Sequence, residues 1–172
     1  YFGTQVDAAL SANPFGLPPD ALYVVSIGSN DPSFYGRTPG MAADVANLAV
    51  SHIQRLANAG AKSFLVQTLG GTDAYVTTYN QTLLNGLAAI SGITVSVVDT
   101  RTFNQTVVLA PGFLAGLGIT DFGSCLADPT CAAAAIAKTT NGEPFFDNPH
   151  LLFDNIHRDT EVAEALADYA IT

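Results

Sequence analysis

The stretch LLFDNIHRD, residues 151–159, sets Asp154 three positions before His157. A carboxylate at that spacing can accept the Nδ1 proton of the imidazole. This fixes the tautomer and leaves Nε2 to take a proton from a nucleophile. The pair is then the orienting acid and the general base of an acyl-transfer site. A second stretch, SIGSNDPSFYG (26–36), runs from an apolar segment into Gly28, Ser29, Asn30, Asp31 and Pro32, which are turn-forming residues. An Asn amide at the end of a strand can donate to a developing oxyanion. Each stretch has a plainer reading too: a surface Asp and His near a helix start, and a polar strand-to-loop turn. A metal reading draws on Asp147, His150, Asp154 and His157, four possible ligands within eleven residues. Their spacing matches no metal signature.

The elements that must position these residues follow from the apolar pattern. ALYVVSIG (21–28), SFLVQTLG (63–70) and TVSVVD (94–99) are continuous rather than alternating, as buried parallel strands are. Helical spacing separates them. Met41, Val45, Leu48, Ala49, His52, Ile53 and Leu56 mark one face over 41–59, and Gly60 offers a stop. Tyr79, Leu83, Leu84 and Leu87 do the same over 79–90, with Gly92 beyond. A helix is expected before the first strand, over 1–13, and a last one over 160–170, capped by Asp159. The alternation predicts an α/β domain with a doubly wound, mostly parallel sheet. Residues 101–150 read as a long excursion over one end of the sheet, with a short helix at 103–110 before Pro111. Three strands are few for such a sheet, so it is expected to be partial.

Bulk properties narrow the function. The chain has 172 residues, 48% hydrophobic and 12% charged, which is the profile of one packed domain. Fifteen acids against six bases give a formal charge of −9, with no Lys/Arg cluster, so nucleic acid is excluded as a partner. No apolar run reaches the roughly 18 to 20 residues needed to span a bilayer. Cys125 and Cys131 read either as free thiols or as a short-loop disulfide. The bonded form fits an exported chain, as do the sequons at Asn80 and Asn104. Export, to the medium or the cell envelope, is the expected location. The chain opens on Tyr1 and its single Met is Met41, so it is expected to be cut from something longer.

Taken together, IGSND and, more than 120 residues later, FDNIHRD, with a βαβαβ pattern between, resemble the SGNH/GDSL family of lipolytic hydrolases. Gly28, Asn30 and Asp31 match that family's G-x-N-D block, and Asp154 and His157 match its D-x-x-H block. YNQTLLNGL, VVDT and a Cys-bearing loop before the last block are also similar. The resemblance covers residues 1–172, but only the later part of the family domain.

It implies a flavodoxin-like, three-layer α/β/α sandwich that cleaves acyl esters or lipids by a Ser–His–Asp mechanism, without a cofactor. Asn30 would donate to the oxyanion, with Gly28 and Asp31 supporting its loop. His157 would be the base and Asp154 its orienter. Departures are Arg158-Asp159 where the family has Pro-Thr, and Asn155 where it has Gly. The larger departure is the absence of the G-D-S-L block and of the second-block Gly. Ser124, in DFGSC, imitates the nucleophile motif but lies too late in the chain.

Three accounts follow. The first is the C-terminal portion of a hydrolase domain whose earlier portion, carrying the Ser and the first strand, is a separate or missing chain and is this chain's partner. The second is a non-catalytic relative that binds acyl, glycan or protein ligands. The third is a metal-dependent hydrolase or binding protein using the cluster from Asp147 to His157.

Overall fold

The structure is a computed structural model that describes residues 2–29, 31, 36–141, 150–152 and 160–170. The chain divides into two compact units, Tyr1–Arg101 and Thr102–Thr172.

The first unit is an α/β layer structure, as the sequence predicts. Its elements are α1 (Phe2–Ala12), β1 (Leu22–Val25), α2 (Pro39–Asn58), β2 (Ser63–Gln67), α3 (Ala74–Ala88) and β3 (Thr94–Val98). The strands are parallel in the order β1-β2-β3. Right-handed crossovers that always step in the same direction put their helices on the same face. One core follows. Val25, Phe64 and Val66 of the sheet meet Val6 of α1, Ala46 and Ile53 of α2, and Tyr79 and Leu83 of α3. The strand residues on the opposite face are less covered: Leu22 is 59% exposed and Val24 68%. The sheet is small and partial, and β1 is an edge strand within it.

The helices α2 and α3 each start where a side chain supplies the missing acceptor of the first turn. The Thr38 hydroxyl accepts from Met41 N–H at 3.2 Å, and Pro39 follows at the first helical position. The Asp73 carboxylate accepts from Val76 N–H at 3.1 Å, which starts α3 five residues earlier than its apolar pattern suggests. The helices α2 and α3 pack closely where Gly86 meets Val50. Ala42, Ala46 and Ala49 are buried, and a Cβ on Gly86 would lie 2.5 Å from Val50 Cγ2. At the end of β2, the Asn80 side chain extends the ladder: it accepts from Leu69 N–H and donates to Leu69 C=O, each at 2.9 Å.

In the second unit, α4 (Thr100–Phe103), which straddles the boundary, continues into a wide helical turn (Asn104–Val108). Then come α5 (Phe113–Gly116), β4 (Asp121–Ser124), a tight turn (Cys125–Ala127), α6 (Pro129–Thr140), β5 (His150–Leu152) and α7 (Thr160–Ala170). Residues 101–150, read as a long excursion with one short helix, thus hold several short regular elements. The Ala-rich run forms α6, because alanine carries the highest helix propensity and Pro129 opens the helix. The strands β4 and β5 pair in parallel, Asp121 opposite His150 and Ser124 opposite Leu152. A small core of Phe103, Val108 and Ile119 packs against Leu166 and Tyr169 of α7. Cys125 and Cys131 stand at disulfide distance, 2.14 Å between sulfurs, and tie the turn before α6 to its first turn.

Candidate functional site at the carboxyl end of β1

The chain leaves β1 through Ser26, Ile27 and Gly28. The Ser26 hydroxyl donates to Gln67 Oε1 at 2.7 Å, which ties this exit to the end of β2. Gly28 is buried at φ +96°, a conformation that side chains resist. It is also the point of closest approach to α3. A Cβ there would lie 2.6 Å from Cζ and from the hydroxyl oxygen of Tyr79. The same Tyr79 hydroxyl donates to Ile27 C=O at 3.1 Å. Tyr79 is fully buried, and its pKa is raised, first by burial and then by the charge of Asp31.

The far side of the turn is held as well. Arg37 forms an ion pair with Asp73, the N-cap of α3, and its guanidinium lies 5.6 Å above the Tyr75 ring. The Asp73 carboxyl is held below its ordinary pKa, chiefly by the Val76 N–H and also by Arg37. Tyr75 is 1% exposed, and its hydroxyl has no hydrogen-bond partner among the described residues.

A cavity of about 540 Å³ opens beside this turn, bordered by Gly28, Ser29 and Asp31 on one side and by α2 on the other. The α2 wall presents Met41, Val45, Leu48 and His52. Five residues of the stripe read in the sequence, Ala49 among them, thus line the cavity, while Met41 and Val45 also pack against the core. His52 is not a free base here. Arg55 Nη1 lies 3.2 Å from its Nδ1, and a guanidinium can only donate, so Nδ1 accepts and Nε2 carries the ring proton. That Nε2 faces Gly3, where a Cβ would lie 2.9 Å away, and Phe2 meets the ring edge-on at 5.5 Å. Arg55 is in turn paired with Asp7.

Of the residues singled out in the sequence, Gly28 and Asp31 border the same cavity. Asn30, Asp154, His157 and Asp147 lie outside the described residues, as does the side chain of His150. Among the described residues no group of three or more His, Cys, Asp or Glu side chains is placed to hold a metal ion. Tyr79, which supports the turn, and Tyr75, which lies under Arg37, are not evident as site residues in the sequence. The signal that could have found Tyr75 is Asp73, whose capping side chain moves the start of α3 upstream.

No protein-family model matches the chain. No curated protein matches it either.

Proposed function

We propose that this chain is the later portion of a carboxylic ester hydrolase of the SGNH/GDSL type. It supplies Asn30, Asp154 and His157, while the nucleophilic Ser comes from sequence preceding Tyr1. The observation that carries the reading is the turn at Gly28 to Asp31. It leaves the carboxyl end of an edge parallel strand, borders a cavity and starts from a segment held by the buried Tyr79. In open parallel sheets ligands bind outside the carboxyl ends of the strands, where strand order reverses. The order β1-β2-β3 has no reversal, so the reading requires earlier strands on the free edge of β1, wound in the opposite direction.

In this account His157 takes the proton of the Ser hydroxyl as Oγ attacks the ester carbonyl. Asp154 holds the imidazole in the tautomer that can do so. Asn30 donates its side-chain amide to the oxygen that becomes negative. The imidazolium then returns the proton to the leaving alkoxide, and water repeats the sequence on the acyl-enzyme. The substrate is an acyl ester or lipid, and no cofactor takes part. The cysteine pair at disulfide distance supports a secreted or cell-envelope location. No helix among the described residues is long and apolar enough to cross a membrane.

The experiment is labelling of the polypeptide that contains this chain and the sequence before it with an alkyl fluorophosphonate, followed by peptide mass mapping. A single labelled Ser upstream of Tyr1 is expected. Label on Ser29 or Ser124, or no label at all, contradicts the assignment. If the unlabelled protein nevertheless takes up fatty acid at the cavity, the non-catalytic binding account replaces it.

A further inference from the structure

The cavity beside β1 has a wall built from two helices. Phe2 and Gly3 of α1 and Met41, Val45, Leu48 and His52 of α2 border it. Phe2, Met41, Val45 and Leu48 give this wall an apolar surface, and His52 adds a ring N–H donor. Because Nδ1 accepts from Arg55, the proton sits on Nε2. That Nε2 is neither buried nor bonded to an acceptor among the described residues. Gly3 keeps the space beside it open, since a Cβ there would lie 2.9 Å from Nε2.

Charge selects among the molecules that could enter. The charged residues that border the cavity, among those described, are Asp31 and Asp44, both carboxylates. Arg55, behind the His52 ring, is already paired with Asp7. An anion would therefore meet two like charges with no free cation to offset them. A cation has no acceptor to offer Nε2–H. An uncharged molecule with an acceptor oxygen and an apolar body meets neither obstacle. The volume of about 540 Å³ suits a small molecule of that kind.

We propose that the α1–α2 wall is a binding site for an uncharged molecule with an alkyl chain and a carbonyl oxygen. The chain lies on Met41, Val45 and Leu48, and the oxygen accepts from His52 Nε2–H. Arg55 is the positioning residue that holds the imidazole in the donating tautomer. The site goes beyond the ester hydrolase reading and stands whether or not that reading holds.

The test is NMR on the 172-residue chain, whose single Met is Met41, so one isotope-labelled methyl group reports occupancy of the cavity. Methyl heptyl ketone should move the Met41 methyl signal saturably and shift the His52 Nε2 resonance with it. Octanoate and octylammonium should bind at least about five-fold more weakly. His52→Phe keeps a ring against Phe2 but lacks the donor, and its affinity for the ketone should fall about 3- to 10-fold. No saturable shift with the ketone overturns the proposal. So does a charged probe that binds as tightly as the ketone, or an unchanged affinity in His52→Phe. If His52→Phe does not fold, the parent spectrum decides. A proton on Nε2 and a shift of that nitrogen with ketone support the site, and a proton on Nδ1 or an unmoved Nε2 overturns it.

Discussion

Gly28 lies so close to Tyr79 that a Cβ on it would stand 2.6 Å from the tyrosine hydroxyl oxygen. The same hydroxyl is bonded to the carbonyl one residue earlier, at Ile27. Turn and helix therefore fix each other. The turn can approach because residue 28 has no side chain, and the tyrosine stays because the turn gives its hydroxyl an acceptor.

Gly28→Ala should be severely destabilising. The positive φ alone costs about 1–2 kcal/mol for an L side chain, and overpacking a buried ring adds a further ~1–3 kcal/mol. Gly36 is the control, because it also has positive φ, +87°, but nothing lies within 4 Å of its would-be Cβ. Gly36→Ala should lose only the conformational part, about 1 kcal/mol. Urea denaturation of the two variants measures the difference. Equal losses would show that the Tyr79 contact is relieved at no cost.

Tyr79→Phe should destabilise by about 1–2 kcal/mol, since it leaves the Ile27 carbonyl without its donor. The paired variant Tyr75→Phe should not destabilise, although both tyrosines sit on one helix and both are buried. Thermal melts of the two separate a satisfied hydroxyl from an unsatisfied one.

Asn80 belongs to a glycosylation sequon, yet its amide is committed to both backbone groups of Leu69. Asn80→Ala should cost about 2–3 kcal/mol, from two partly buried backbone groups left unpaired. Hydrogen exchange should show the Leu69 amide losing protection in that variant, while the amides of β3 keep theirs.

The Asp73 carboxyl is harder to protonate folded than unfolded, because it accepts from Val76 N–H and pairs with Arg37. Its contribution is present above the ordinary carboxylate pKa and is lost as pH falls through the depressed folded value. Asp73→Asn should therefore lower the melting temperature at neutral pH and flatten its fall below about pH 4. A parallel displacement of the two curves down to the lowest pH would contradict the assignment.

The sheet was legible because continuous apolar runs bounded by glycines have few other readings in a chain of this composition. The three strands begin within one residue of their apolar runs. The face of α2 was less legible. Periodicity marks Met41, Val45 and Leu48 on one face with Ile53 and Leu56, and of these only Ile53 and Leu56 are buried. Met41 and Val45 pack against the core at the cavity's edge, and Leu48 is 57% exposed. Periodicity also hid the start of α3, where a capping carboxylate, and no apolar residue, sets the boundary. In the candidate site, Gly28 and Asp31 were legible as turn chemistry. Their tyrosine support was not, because Tyr79 lies 51 positions after Gly28 and only the fold brings the two together.

The central claim is that His157 is the general base of an ester hydrolase. Its most direct test is the rate of p-nitrophenyl butyrate hydrolysis by the polypeptide that joins this chain to the sequence before it, for wild type and His157→Ala at equal folded concentration. The account predicts a loss of at least about 10³-fold in kcat with the melting temperature preserved. Hydrolysis at the wild-type rate by His157→Ala would contradict it.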